Sequence, residues 1–443
     1  MDRVTIKIED VSFEGQGIGK SHGLTFFVAD TLPGDFVEVL PTKMKKKYAF
    51  GEVISFLESS KDRIDPHCPH EKECGGCTFQ RYSYEAQLKL KERQIGEKLV
   101  RLAGIENPLV KPIVGMDNPF EYRNKAVFQV DPILGYVGYH EKKSHHVVDT
   151  PYCMLQAEPA NVVGQVIRKY IRDNRTTISQ LVVKAAFTTG EVMVVLISEK
   201  PHLPNQDSLI QQLDDAIEAL EPINGGAVYS LESVTLKEKG KDRNILLAGK
   251  QTIIEEMMGL EFEISANSFY QVNPIQAERL YQKALEYADL KGDENVLDIY
   301  CGVGTIGLLA ARTAKRVLGI ESVKDAIINA NRNATINGLV NITFKWGKAE
   351  EELPKGLEWK PNVVFLDPPR VGCAPELLEV VAKASPKRIV YLSCDPATLS
   401  RDLKYLTQEG YEFVEATPVD MFPWTNHVEA IVLMTRSGSG EKK

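Results

Sequence analysis

The chain has 443 residues, enough to bury two or three hydrophobic cores, so several domains are expected. Its hydrophobic content of 43% and net charge of −8 belong to an ordinary soluble protein and do not advertise a nucleic-acid binder, although whole-chain charge says little about a local patch. No apolar run approaches the roughly 18 residues of a membrane helix and MDRVTIKIED lacks a secretory apolar region, so a cytoplasmic protein with reduced thiols and no membrane partner is expected.

The first sixty residues alternate short β-rich runs (VTIKIEDVSF, GLTFFVAD, DFVEVLP, FGEVISFLE) with Gly and Pro turns, which predicts a small barrel of the oligonucleotide-binding type. Lys43, Lys45, Lys46 and Lys47 cluster in TKMKKKYAF, either as a solvated hairpin tip or as a phosphate contact. The turn-rich linker SSKDRIDPHCPHEKECGGC follows. Then comes YEAQLKLKERQIGEKLVRLAGI, where Leu88, Ile95, Leu99 and Leu102 recur at helical spacing and Gly104 stands in C-cap position. From about Pro112 to Ala266 strand-like segments dominate, which predicts a mixed α/β domain. From Asn267 onward helices and strands alternate strictly, the pattern of a doubly wound fold. The tail SGSGEKK is expected to be disordered.

Three strand ends carry the chemistry of a cofactor site. LDIYCGVGTIG places Gly302, Gly304 and Gly307 between a strand and a helix, which satisfies the dinucleotide fingerprint without choosing the ligand. A pyrophosphate wants helix-end amides and no nearby anion. Asp298, just before the loop, would repel phosphate yet suits the ammonium of a methionine moiety, and Glu321, ending the next strand, is placed for ribose hydroxyls. S-adenosylmethionine therefore fits better than NAD. In VVFLDPPR, Asp367 precedes two prolines that stiffen another strand end. In exocyclic-amine methylation an aromatic residue normally follows such a pair. Arg370 stands there instead, which argues against an amine acceptor.

In VYLSCDPATLSRDL the strand ends on Cys394, which alone would read as a small buried hydrophobe. Beside a methyl donor, a thiol suits an acceptor carbon that cannot attack unaided, such as C5 of uracil. A thiolate adds to C6, C5 becomes an enolate carbon that attacks the sulfonium methyl, and a base then removes the C5 proton so that the thiol can leave. DMFPWTNHVEAIVL offers His427 and Glu429 just before the last strand; Glu429 is favoured as the base and His427 as a loop-shaping residue.

The remaining cysteines divide in two. Cys68-x5-Cys74-x2-Cys77, with Cys153 far downstream, offers four thiolates for zinc, a [4Fe-4S] cluster or a redox pair. The redox reading is weakest, because CGGC does not open a helix after a strand, and spacing leaves zinc and iron–sulfur open. Cys301 and Cys373 read as packing or loop residues.

With SANSFYQVN, LDIYCGVGTIG, GIE, FLDPPR, SCDP and DMFPWTNHVE, the chain resembles the RNA uracil-5 methyltransferase family over nearly its whole length, specifically the iron–sulfur branch that modifies large-subunit ribosomal RNA. The resemblance implies a TRAM barrel over residues 1–60 and a central α+β iron–sulfur domain over 61–79 and 116–266. It implies a Rossmann-like methyltransferase domain over 80–115 and 267–443, with the helix after the cluster packed on it. Gln271, Tyr300, Gly302, Glu321 and Asp367 would bind S-adenosylmethionine, Cys394 would be the nucleophile and Glu429 the general base. Cys68, Cys74, Cys77 and Cys153 would hold a [4Fe-4S] cluster. The implied substrate is a uridine in a locally unfolded segment of 23S rRNA, and the enzyme is expected to be a monomer. A tRNA T-loop methyltransferase is the first alternative, against which the barrel and the cysteine set argue. An inactive RNA-binding iron–sulfur protein is the second, against which Cys394 and Glu429 argue. One departure stands out: the family commonly has Asn after the cysteine, whereas here Asp395 sets an anion beside the thiol. Either Asp395 points away or a cation offsets it, with Arg401 as a candidate.

Overall fold

Strict alternation in the first sixty residues closes on itself. In the computed structural model, which describes residues 2–12, 14–222, 227–241, 243–353 and 359–438, strands β1 (Val4–Val11), β2 (Gly17–Ser21), β3 (Leu24–Val28), β4 (Phe36–Met44) and β5 (Tyr48–Glu58) form a closed barrel in the order β1-β2-β3-β5-β4. Every second side chain points inward, so Ile6, Ile8, Phe26, Val28, Val37 and Val39 make its core. Buried Asp35 accepts from the amides of Leu32 (2.7 Å) and Ser60 (2.8 Å) and pairs with Arg63, tying the barrel to the chain that leaves it. Lys43 and Lys45 to Lys47 are exposed around the β4–β5 turn. The last residues of the expected disordered tail, 439–443, lie outside the described residues.

Helix α1 (Tyr84–Lys98) runs on through a π-helical turn, Leu99–Ala103, which Gly104 ends in left-handed conformation at φ 75°. Ile95, Leu99 and Ala103 share a core with Leu297, Leu399 and Leu403 of the C-terminal half.

The next sheet has seven strands: β6 (Lys125–Asp131), β7 (Tyr136–His140), β8 (Val147–Asp149), β9 (Ile178–Ala185), β10 (Glu191–Ser198), β11 (Ser230–Glu238) and β12 (Asn244–Gly249), ordered β12-β11-β10-β9-β6-β7-β8. Helices α2 (Glu158–Asp173) and α3 (Gln206–Glu218) set Val163, Ile167, Leu209 and Leu213 against Phe128, Leu181 and Val194. A hairpin, β13 (Thr252–Met257) with β14 (Leu260–Ser265), follows. Its Ile253 and Phe262 share a core with Met193 of the central sheet and with Leu280 and Leu308 beyond it, so it wedges the two halves together.

Doubly wound alternation then runs as expected: α4 (Pro274–Ala288), β15 (Asn295–Ile299), α5 (Thr305–Ala311), β16 (Arg316–Glu321), α6 (Lys324–Ile336), β17 (Ile342–Trp346), the short α7 (Ala349–Glu352), β18 (Val363–Leu366), α8 (Pro375–Ala384), β19 (Arg388–Ser393), α9 (Pro396–Gln408), β20 (Tyr411–Val419) and β21 (Glu429–Arg436). The sheet order is β17-β16-β15-β18-β19-β21-β20, with the first five strands parallel and β21 antiparallel to both neighbours. The chain turns outward on one side of β15 and then resumes on the other, so a switch point opens between β15 and β18. Because β21 runs backwards, its first residue lies at the same edge as the last residues of β15, β16, β18 and β19. No described helix is long and apolar enough to cross a membrane.

Candidate active site

The loop after β15 is built on left-handed backbone. Tyr300, Gly302 and Gly304 have φ of 66°, 55° and 87°, and the amides of Tyr300 and Cys301 both donate to the Ile320 carbonyl at 3.0 and 3.2 Å. A side chain on Gly304 would meet the Phe344 ring at 2.7 Å, which only glycine avoids. Gly302 donates its amide to Glu321 Oε2 at 3.2 Å, and Glu321 Oε1 accepts from the Val323 amide at 2.8 Å. Asp298 Oδ2 accepts from the Gly307 amide at 2.9 Å, while its buried Oδ1 has no partner among the described residues. Burial pushes the Asp298 carboxyl up to about 7, and Asp367 and Glu321 add to it. Asp367, at the end of β18, is pushed to about 7 by burial. Gln271 lies between β14 and α4, where its carbonyl accepts from the Asn124 amide nitrogen at 3.0 Å and its side chain meets the buried Tyr281 hydroxyl. That hydroxyl faces Asp367, Asp298 and Glu429. The edge therefore gathers carboxylates around a glycine loop with a buried acceptor unmet, which suits a cationic ligand.

The thiol and its neighbour come from adjacent strands. Ser393 pairs with Ala430, so Cys394 and Glu429 leave the ladder side by side. Cys394 is half-buried, and its thiol is pushed up to about 11 by burial, then by Glu429, with Arg370 opposing. Glu429 is pushed up to about 8 by burial and by Asp367, again opposed by Arg370. In the ligand-free site both groups are therefore pushed toward their protonated forms. Asp395 does point away: it caps α9, its Oδ1 accepting from Ala397 and Thr398 amides at 2.8 and 3.0 Å. Arg401 is not the offsetting cation. Its guanidinium pairs with Asp402 at 2.7 Å and donates to the Val371 and Cys373 carbonyls, and Arg370 serves the thiol instead. Arg370 also meets the His427 ring at 3.1 Å. Burial, with Arg370 next, pushes that imidazole down to about 4 and keeps it neutral, in keeping with a shaping role.

Sequence reasoning missed four residues around this edge: Arg370 as a partner of the thiol, Tyr281, and the pair of Lys91 and Trp424 that hold the loop before Glu429. Lys91 Nζ, fully buried on α1, meets Asp420 Oδ1 at 2.6 Å and donates to the Phe422 carbonyl at 3.2 Å. Tyr84 donates its hydroxyl to Asp420 Oδ2 at 2.9 Å.

Cys68, Cys74, Cys77 and Cys153, all free thiols, line one cavity of about 50 Å³ together with Gln80, Arg123 and Tyr139. That is several times the space one water needs. The Gly76 amide donates to Cys74 Sγ at 3.4 Å and Gln80 Nε2 to Cys77 Sγ at 3.5 Å. Among the described residues, no three His, Cys, Asp or Glu side chains are grouped as a single metal ion requires. Cys301 and Cys373 are buried packing residues.

Comparison with known proteins agrees with this architecture. The TRAM domain matches residues 2–54, and the tRNA (uracil-5-)-methyltransferase family matches residues 84–437. An uncharacterised RNA methyltransferase of Clostridium tetani is 40% identical, over 98% of this chain and 96% of its own. Another from Halalkalibacterium halodurans is 39% identical, over 98% and 97%. The crystal structure of the Pyrococcus abyssi tRNA (uracil-54, C5)-methyltransferase in complex with S-adenosyl-L-homocysteine superposes with a TM-score of 0.74 at 25% identity, over 98% of this chain and 100% of that one. With the doubly wound sheet and the barrel as the matches require, the chain belongs to the tRNA (uracil-5-)-methyltransferase family and is an S-adenosylmethionine-dependent RNA methyltransferase.

Proposed function

We propose that the enzyme methylates C5 of a uridine in 23S ribosomal RNA through a covalent bond between Cys394 and C6. The observation that carries this reading is the register that sets Cys394 and Glu429 side by side at the edge where the glycine loop opens. Gln271, Tyr300, Gly302, Glu321 and Asp367 hold the donor, and Asp298 supplies a further carboxylate for its cationic end. S-adenosylmethionine, when bound, supplies the methyl group.

Cys394 loses its proton to solvent before its sulfur bonds to C6, and Arg370 stabilises the thiolate that results. With the donor bound, the pair displaced from the C5–C6 double bond would form the C5–methyl bond while the methyl–sulfur pair stays with the donor's sulfur as a neutral thioether. Glu429, once it has lost its own proton to solvent, takes the C5 proton, and the returning pair expels the thiolate and restores the ring. Cys394→Ala should abolish both methylation and any covalent protein–RNA species. Glu429→Gln should still add the thiol and transfer methyl, but it should accumulate a methylated adduct that survives denaturing gel electrophoresis. A Glu429→Gln enzyme with normal turnover would falsify the base assignment.

The ribosomal target rests on the resemblance to the iron–sulfur branch. The likeness to a tRNA (uracil-54, C5)-methyltransferase favours a T-loop uridine as the second reading. Mapping 5-methyluridine in rRNA and tRNA from a deletion strain separates them: loss from rRNA supports the first and loss from tRNA alone supports the second.

We further propose that Cys68, Cys74, Cys77 and Cys153 hold a [4Fe-4S] cluster within a domain of residues 61–79 and 116–266. A cavity larger than one ion, lined by four thiols whose donors are soft sulfurs, fits such a group. The packing of α1 under the C-terminal sheet supports assigning residues 80–115 to the methyltransferase domain with 267–443. Anaerobically purified protein should be brown and contain iron and sulfide, and Cys74→Ala should lose the colour while S-adenosylmethionine binding persists. Colourless zinc-loaded protein would overturn the assignment.

A further inference from the structure

The loop that delivers Glu429 passes through a strained residue. Trp424 stands at φ 66°, a left-handed conformation that a bulky side chain adopts only when its surroundings impose it. Those surroundings grip both sides of its backbone. The Trp424 amide donates to Gln87 Oε1 at 3.1 Å, and its carbonyl accepts from the amides of Thr78 and Phe79 at 2.9 and 3.0 Å. Gln87 is fully buried on α1, and its Nε2 donates to the Phe79 carbonyl at 3.2 Å and the Tyr82 carbonyl at 2.7 Å. One amide therefore joins three segments: α1, the stretch after Cys77, and the loop that ends at Glu429. The ring is fixed as well, stacked on Phe120 at 5.1 Å with its Nε1 donating to the Pro119 carbonyl at 2.9 Å.

We propose that Gln87 is a positioning residue for proton removal: by bridging Phe79 and Trp424 it holds the reversed turn that sets Glu429 opposite the thiol. This rests on the reading of Glu429 as the base. On the donor side Gly302 and Glu321 hang on β15 and β16, which β18 and β19 separate from β21, and Asp367, which faces Glu429, comes from the end of β18, a strand that the turn at Trp424 does not hold. A turn displaced at Trp424 would thus impair the late step and spare the early ones. Buried polar groups without partners are costly, so with Gln87 gone the Trp424 amide would rearrange toward another acceptor and move the loop.

The test uses Gln87→Met in the full chain, which keeps length and removes the amide. Thiol addition and methyl transfer should proceed at the normal rate, while release of product slows by roughly 100-fold, the penalty for a shift of about 1 Å in a reacting group. The methylated protein–RNA adduct should then accumulate on denaturing gels, with S-adenosylmethionine affinity unchanged. A fold defect would behave differently, lowering adduct formation and release together, and that result would overturn the proposal. Release at the normal rate would overturn it too. Glu429→Gln run in parallel separates the two readings. If that variant accumulates adduct and Gln87→Met does not, the positioning role fails alone; if Glu429→Gln turns over normally, the base assignment fails and takes the positioning role with it.

Discussion

Asp298, Asp367 and Glu429 form a set whose proton affinities are raised together, to about 7, 7 and 8, with burial the first cause in each. A carboxylate raised in the folded state stabilises it through its protonated form. That contribution is complete below the unfolded value near 4 and is lost as pH climbs through the folded values. The ligand-free enzyme should therefore lose stability from about pH 5 to pH 8. S-adenosylmethionine brings a sulfonium and an ammonium against one carboxylate, so it favours the ionised forms and must displace protons on binding. Its affinity should rise between pH 6 and pH 8, by up to about tenfold per pH unit for each proton released. Calorimetry in two buffers of different ionisation enthalpy measures that release directly, and a pH-independent affinity with no proton release would show that Asp298 and Asp367 do not face the donor. Asp298, Asp367 and Glu429 were legible in the sequence because each sits at a strand end in an alternating pattern, and the alternation alone puts those ends on one edge. Arg370 was legible only as a departure from a motif. Its partners, Cys394, His427 and Glu429, lie in segments whose neighbourhood depends on the antiparallel insertion of β21.

At the scale of elements, the parallel strands were the easiest to read, since burial on both faces makes them continuous apolar runs such as VVFL and RIVYLS. In the central sheet α2 was hidden among strand-like segments, because Val162, Val163, Val166 and Ile167 carry β-branched side chains although their spacing buries one helical face. The stripe on α1 was read half correctly. Ile95 and Leu99 are buried as expected, but Leu102 is 46% exposed. The cause is the π-helical turn over Leu99–Ala103, whose wider hydrogen bonding rotates Leu102 off the buried face and brings Ala103 onto it. The same face carries Gln87 and Lys91, both completely buried. An amphipathic reading takes such residues for the solvent side, and only the loop they grip, more than three hundred positions away, reveals otherwise.

Across the whole molecule the barrel reaches the catalytic edge through α1, and the joint is the ion pair of Lys91 with Asp420, which no local pattern could announce. Both side chains are fully buried, 2.6 Å apart. Burial lowers the proton affinity of Lys91, and the Asp420 charge opposes it. A buried pair contributes little net stability, since desolvation offsets attraction, yet removing one partner strands the other charge at a cost of roughly 3–5 kcal/mol. Lys91→Met should therefore lower the urea midpoint sharply, even though the Tyr84 hydroxyl still reaches Asp420. Adding Asp420→Asn to that variant should recover much of the loss, because no unpaired charge is then left at that point. Recovery of stability need not restore turnover. The loop of Asp420, Trp424 and Glu429 would be folded but held by fewer bonds, so the double variant should melt near the wild type while releasing product more slowly. If Lys91→Met unfolds like the wild type, or if Asp420→Asn deepens its defect, the pair is not the joint between the N-terminal helix and the catalytic loop.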